Sequence, residues 1–140
     1  MQAPFPAILQ LGINWNSNDQ EIKTTDLLGF LISIGSSLSI TDIFSISRQT
    51  EKLPIPTYAP VCLICFVGKH YLCFIRDQNA YETWTMYNDS RYEPGMTWTK
   101  VVSYCIDTKC IPTVLIFEKS QTSQASVYAN KAMLIPSSVR

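Results

Sequence analysis

Residues 61–76, VCLICFVGKHYLCFIR, decide the fold of this chain. The uninterrupted apolar run from Val61 to Val67 predicts a buried strand, and Gly68-Lys69 breaks it. His70 to Arg76 predicts a second strand, and the short break between the two indicates an antiparallel hairpin. TWTMY at Thr83 to Tyr87 predicts a third strand, so we expect an antiparallel meander at the centre of the chain.

The segments on either side of the meander predict the remaining elements. Apolar spacing predicts strands at Phe5 to Trp15 and Thr113 to Glu118, and a helix in 21–38. A second helix is predicted for Thr97 to Ile106, with Thr97 as its cap. Weaker patterns predict a short strand at Ile40 to Ile46, a loop at Ser47 to Pro60, a turn at Glu93-Pro94-Gly95 and a loose polar tail at 119–140. The expected fold class is therefore α+β, an antiparallel sheet with one or two packed helices in a domain spanning residues 5–118.

Composition excludes several classes of function. Eleven basic residues balance eleven acidic ones, which argues against a dedicated nucleic-acid binder. No apolar stretch approaches the roughly 18 residues that span a bilayer, and Met1 to Pro6 has no basic segment typical of a secretory signal. Apolar residues make up 46%, which indicates a globular core, and only 16% are charged. A surface so poor in charge predicts a partner or the remainder of a larger domain.

Five cysteines, an odd number, argue against a secreted disulfide scaffold. Three of them, Cys62, Cys65 and Cys73, lie in apolar, strand-like segments, which predicts reduced, buried thiols in an intracellular protein, cytoplasmic or nuclear. Zinc would need converging ligand pairs, but Cys62 and Cys65 are three residues apart on one strand and should face opposite ways. Cys105-x4-Cys110 is the other candidate pair. We predict no metal and no cofactor, and a small zinc or redox protein stays a third, weaker hypothesis.

His70 is the single histidine of the sequence. Asn88 and Asp89 follow eighteen and nineteen residues later, at the end of the neighbouring predicted strand. An amide or carboxylate there can accept the imidazole Nδ1–H, which is the orienting half of a cysteine-protease triad. Spacing alone leaves a second interpretation open, in which Asn88-Asp89 only closes a hairpin turn.

These residues also carry a family resemblance. Gly68-Lys69-His70-Tyr71, followed by WTMYNDS at Trp84 to Ser90, resembles the histidine box of the ubiquitin-specific proteases. Three further segments resemble a subset of that family often described as inactive, and all the matching segments follow one another in the family's order. The three segments are 5–15, 96–106 and 112–117. The resemblance covers roughly residues 5–118.

The resemblance implies the antiparallel-sheet half of a papain-like cysteine peptidase that hydrolyses the isopeptide bond at the C terminus of ubiquitin. By resemblance, His70 takes the place of the general base and Asn88 that of the third triad member, which orients it. Asp89 takes the place of a neighbouring acid that supports polar contacts near the oxyanion. The implied partners are ubiquitin or a ubiquitinated protein and the N-terminal half of such a domain, with no nucleic acid and no membrane.

One motif of that family has no counterpart in this sequence. The family's nucleophile lies in a Gly-rich box that ends Asn-x-Cys-(Tyr/Phe). A thiolate is favoured at a helix N-terminus or beside a charged histidine, whereas the five cysteines are predicted on strands or towards a helix C-terminus. We therefore expect either a partial deubiquitinase domain that is inactive as this chain, or a non-catalytic ubiquitin-binding or scaffold module.

Overall fold

The structure is a computed structural model that describes residues 5–15, 21–35, 38–39, 55–80 and 82–120. Within these residues the predicted α+β class is confirmed, with strands forming one sheet and two helices beside it. In chain order the elements are β1 (Ile8–Gly12), α1 (Thr24–Ile34), β2 (Leu38–Ser39), β3 (Thr57–Val67), β4 (His70–Arg76), β5 (Thr83–Asn88), β6 (Arg91–Thr97), α2 (Trp98–Thr108) and β7 (Ile111–Lys119).

The sheet follows the order β1-β7-β3-β4-β5-β6, and β2 pairs with β3 beside this path. Every strand pair among the described residues is antiparallel. The predicted meander is confirmed and is one strand longer than predicted, because it runs through β3, β4, β5 and β6. The last strand, β7, returns to the other side of β3, so that β3 and β4 lie in the middle of the sheet.

One face of the sheet carries the core. On β3, Leu63 and Cys65 point to this face, and they pair with Phe74 and Leu72 of β4. All four side chains are buried. Alternation along a strand sends every second side chain to the same face, so this face continues along β4 to His70. Both helices contribute side chains to the same core, including Leu31 of α1 and the α2 residues Val101 and Cys105.

The second helix shows how its sequence specifies its two ends. At its start, the Thr97 hydroxyl accepts a hydrogen bond from the Lys100 N–H at 3.2 Å, which confirms the predicted cap. At its end, Lys109 adopts the left-handed conformation with φ 55°, and the Cys110 N–H donates to the Cys105 carbonyl at 2.9 Å. This bond is the long closing bond of a Schellman turn, which folds the chain back over the last helical turn. The helix ends at Thr108, beyond the predicted Ile106.

The predicted turn at Glu93-Pro94-Gly95 is wrong, because these residues lie inside β6. Opposite them the register shifts between Trp84 and Met86, and Gly95 has φ 71°. Both features mark a bulge, which lets an edge strand accommodate a proline that donates no hydrogen bond. Pro94 and Gly95 therefore do interrupt the regular strand, but they bend it without ending it.

The predicted loop at Ser47 to Pro60 is also wrong at its end, since β3 already begins at Thr57. Pro60 lies at a register shift against β7, where its missing N–H breaks no regular ladder. The final strand continues to Lys119, one residue beyond the predicted domain boundary at 118. The predicted strand at Ile40 to Ile46, residues 47–54 of the predicted loop and residues 121–140 of the predicted tail lie outside the described residues.

Candidate active site

His70 is the first residue of β4 and follows a tight turn. Val67 and His70 pair across this turn, and Gly68 between them has φ 60°. A positive φ is strained for residues with a Cβ, so glycine is the residue that suits this position. The turn leaves the His70 side chain exposed at the end of the β3–β4 hairpin.

Asn88 is the last residue of β5, and its side chain meets the histidine. The distance between His70 Nε2 and Asn88 Oδ1 is 2.9 Å. The strand register pairs Cys73 with Tyr87, so the contact between His70 and Asn88 is diagonal across the two strands. At the other end of the same strand pair, Asp77 accepts hydrogen bonds from the Thr83 and Thr85 hydroxyls at 2.6 and 2.8 Å, which holds this register.

The contact determines what the imidazole can do. An amide oxygen only accepts, so Nε2 carries the proton and donates it to Asn88 Oδ1. The prediction of an Nδ1–H contact is therefore wrong, because the ring presents its other nitrogen to Asn88. Nδ1 keeps a lone pair, and it has no hydrogen-bond partner within the described part of the chain. The arrangement leaves His70 Nδ1 as an oriented proton acceptor at an exposed sheet end.

Asp89 follows Asn88 in the turn between β5 and β6. It adopts a left-handed conformation with φ 53°, which aspartate tolerates better than most residues, and its side chain is exposed. No hydrogen bond or ion pair joins its carboxylate to another residue of the described ranges. The structure thus brings together two of the three predicted site residues, and the role predicted for Asp89 stays a prediction.

Two aromatic residues of the resemblance motif lie apart from this pair. Trp84 is buried, and its ring centroid is 5.1 Å from that of Trp98. Tyr71 points to the opposite sheet face and contacts Phe66, with ring centroids 5.0 Å apart. Both contacts are packing contacts between aromatic rings.

Cys62 and Cys73 lie on the outer face of the sheet and are half-buried. Burial, together with the neighbouring Cys73, raises the pKa of Cys62 to about 11. Burial also raises the pKa of Cys73. Both thiols are therefore protonated near neutral pH, and neither is a nucleophile there.

The remaining three cysteines form a cluster that the sequence did not predict. Cys65, Cys105 and Cys110 are fully buried, and their Sγ atoms all lie within 4.8 Å of one another. Contacts with Cys105 and Cys110 raise the pKa of Cys65, and the contact with Cys110 raises the pKa of Cys105. Contacts with Cys105 and Cys65 lower the pKa of Cys110. Full burial keeps all three sulfurs out of reach of a protein substrate. The signal in the sequence was the C-x4-C spacing at a helix end, which a Schellman turn converts into a contact.

Neither helix of the described residues has the length and apolar character needed to cross a membrane.

No protein-family model matches the chain, but individual proteins of known sequence do. The chain is 28% identical over 122 residues to ubiquitin carboxyl-terminal hydrolase 54 of Rattus norvegicus and, with the same figures, to that of Mus musculus. Each match covers 86% of this chain and 7% of the relative, so the chain spans a small part of these curated proteins.

A solved structure shares the fold. One chain in a structure of the SAGA Ubp8/Sgf11/Sus1/Sgf73 DUB module superposes with a TM-score of 0.50 and 16% sequence identity. The superposition covers 83% of this chain and 24% of that chain. At this identity the likeness concerns the α+β fold alone.

Proposed function

The chain carries a ubiquitin-specific protease-like domain, and on this premise we propose that it supplies the histidine-bearing half of a cysteine-type deubiquitinase site. The reaction is hydrolysis of the isopeptide bond at the C terminus of ubiquitin. The observation that carries the proposal is the 2.9 Å contact between His70 Nε2 and Asn88 Oδ1 at an exposed sheet end.

Each residue of the proposed site has a distinct role. Asn88 holds the imidazole in the tautomer that leaves Nδ1 unprotonated, and Nδ1 takes the proton from a cysteine thiol. The resulting imidazolium then donates that proton to the departing lysine amine of the ubiquitinated protein. Asp89, next to Asn88 in the exposed turn, contributes a polar contact near the oxyanion.

The nucleophile of the proposed site is not one of the five cysteines in this sequence. A working cysteine is accessible and has a lowered pKa. Cys62 and Cys73 have raised pKa values, and the other three cysteines are fully buried. We therefore propose that residues 1–140 are inactive by themselves and that the N-terminal half of such a domain provides the cysteine.

The test uses ubiquitin in two forms with the purified chain. Ubiquitin with a thiol-reactive group at its C terminus is expected to form no covalent adduct. Isotope-labelled ubiquitin is expected to bind, with NMR shift changes concentrated in its C-terminal tail. His70→Ala should reduce the changes at the tail, whereas Gln78→Ala, at the opposite end of β4, should not.

The two forms of ubiquitin test different parts of the proposal. An adduct that disappears in His70→Ala would overturn the proposed inactivity and identify an activated cysteine in this chain. A folded chain that leaves the spectrum of ubiquitin unchanged would overturn the proposed site itself.

A non-catalytic ubiquitin-binding or scaffold module is the second candidate, and the outer face of the sheet favours it. This face exposes two aromatic pairs, Phe66–Tyr71 and Tyr87–Tyr92, with ring centroids 5.0 and 6.5 Å apart. Exposed aromatic residues are common anchors of protein interfaces. If this candidate is right, Tyr87→Ala weakens ubiquitin binding and Asn88→Ala does not, which is the reverse of the order expected for the histidine site.

A further inference from the structure

The buried thiol cluster has no part in the proposed hydrolysis, so a function for this cluster is independent of that reaction. Among the described residues, Cys65, Cys105 and Cys110 are the group of metal-ligating side chains whose donor atoms converge. Three sulfurs within 4.8 Å of one another inside the core are more than the packing of a small apolar side chain requires.

Three separate pieces of structure bring these sulfurs together. Cys65 is on the central strand β3, on the face that α2 covers. Cys105 lies on the buried side of α2, one turn before its end. Cys110 follows the left-handed residue Lys109, and its N–H bonds to the Cys105 carbonyl at 2.9 Å. Since backbone hydrogen bonds hold the strand and the helix end, the ligand positions are set before any ion arrives.

The spacing of the sulfurs suits a shared metal ion. A zinc–sulfur bond is about 2.3 Å, so two thiolates on one ion lie about 3.8 Å apart in a tetrahedral site and about 4.0 Å apart in a trigonal site. Sulfurs within 4.8 Å of one another reach these separations with movements of at most about 1 Å. Thiolates select soft d10 ions over oxygen-preferring ions such as Mg²⁺ and Ca²⁺.

A cleft beside the cluster offers an approach for an ion. It has a volume of about 230 Å³, and its lining includes Ile106, Lys109 and Ile111, which are the chain neighbours of Cys105 and Cys110. The three thiols do not line the cleft themselves. An ion in the cleft would therefore lie next to the chain segments that carry two of the three ligands.

We propose that Cys65, Cys105 and Cys110 form a binding site for a thiophilic d10 metal ion, either Zn²⁺ or Cu⁺. The ion forms three metal–sulfur bonds, and up to three thiol protons leave to solvent, with no change of oxidation state. Three thiolates complete a trigonal site for Cu⁺, whereas Zn²⁺ takes water as a fourth ligand. The bound ion ties α2 to the central strand and thereby stabilises the fold.

The test titrates the whole chain with Zn²⁺ and, in a separate anaerobic arm, with Cu⁺, after reduction by a phosphine. Metal content, proton release and the unfolding midpoint are measured in each arm. We expect one ion per chain and a rise of the midpoint by roughly 5 °C or more at saturation. The ion that is bound more tightly in competition with a chromophoric chelator is the one the site takes.

Two variants distinguish metal binding by the cluster from metal binding by Cys62 and Cys73. The double variant Cys62→Ser/Cys73→Ser keeps the cluster intact and should still bind one ion per chain. Cys110→Ser removes one ligand and should weaken binding by about tenfold or more.

Two outcomes would overturn the proposal. One is a folded Cys62→Ser/Cys73→Ser variant that binds neither ion. The other is a Cys110→Ser variant that binds as tightly as the unmodified chain. If Cys110→Ser fails to fold, metal binding by Cys62→Ser/Cys73→Ser is the deciding measurement, because both of its substitutions lie on the outer face of the sheet, away from the core.

Discussion

The His70–Asn88 pair and the cluster of Cys65, Cys105 and Cys110 lie on the same face of the sheet, but in opposite environments. The histidine is exposed, and the three thiols are fully buried. The difference follows from how far the helices reach. Helix α2 covers the middle of β3 and β4, whereas His70 begins its strand at the hairpin end. A base at the exposed end is available to a partner, whereas thiols under the helix are closed to a protein substrate.

The largest expected effect on stability comes from a substitution in the part of β4 that α2 covers, compared with one in the exposed part. Phe74 is fully buried, and its ring centroid is 5.9 Å from that of Tyr104. Phe74→Ala should lower the free energy of unfolding by about 3–5 kcal/mol, because it leaves a cavity under α2. Tyr71→Ala, on the same strand but exposed, should cost less than about 1.5 kcal/mol. Urea denaturation measures both values, and equal losses would contradict the distinction.

Thiol chemistry tests whether the outer-face cysteines are as unreactive as their surroundings imply. With a pKa of about 11, Cys62 at pH 8 is thiolate in roughly one molecule per thousand, against about a quarter for an ordinary thiol. Alkylation of Cys62 at pH 8 should therefore be on the order of 100-fold slower than that of a free cysteine peptide. The rate should rise about tenfold per pH unit up to about pH 11.

Mass spectrometry of the alkylated peptide follows this reaction, with the free peptide as the control. A rate that levels off below pH 9 would show that the thiol is more acidic than its burial predicts.

The turn that carries Cys110 allows a smaller test. Lys109 has φ 55°, a strained value for a residue with a Cβ, and its ammonium group forms an exposed ion pair with Glu21. Lys109→Gly should raise the stability by about 0.5–1 kcal/mol, since relief of strain outweighs loss of a surface ion pair. Lys100→Gly, inside the same helix, should instead lower stability by about 1 kcal/mol. Thermal unfolding compares the two, and destabilisation by Lys109→Gly would contradict the assigned strain.

The smallest expected effect on stability is at the exposed pair. Asn88→Ala removes an exposed hydrogen bond and should change the free energy of unfolding by less than about 1 kcal/mol. It should nevertheless lower the Nε2–H fraction of neutral His70 towards that of a free histidine peptide, which itself favours Nε2–H, and nitrogen-15 NMR of the imidazole measures this fraction. Asn88→Asp keeps an oxygen acceptor and should retain that tautomer. An Nε2–H fraction that is the same in all three proteins would show that Asn88 does not hold the tautomer.

Local patterns predicted most of the strands and both helices. The apolar run at 61–67, the Gly68 break and the Thr97 cap each act within a few residues, so each is readable without the rest of the chain. Pro94-Gly95 and Pro60 misled the prediction for one common reason. A proline signal reports where a regular ladder is interrupted, and only the neighbouring strand decides whether the interruption is a turn or a bulge.

For the candidate active site, too, the sequence determined one part and the tertiary structure decided the other. The sequence by itself determined that one histidine follows a glycine turn and that an asparagine ends a neighbouring strand, which made their contact one of two open interpretations. Only the tertiary structure decided which imidazole nitrogen meets Asn88, because ring orientation depends on a diagonal contact between strands.

Only the tertiary structure, too, brought Cys65 beneath Cys105 and Cys110. Forty residues separate Cys65 from Cys105, and no local periodicity relates a position on a central strand to the closing turn of a helix. Local propensities act over a few residues, whereas the packing of a helix on a sheet joins positions that are far apart in the chain.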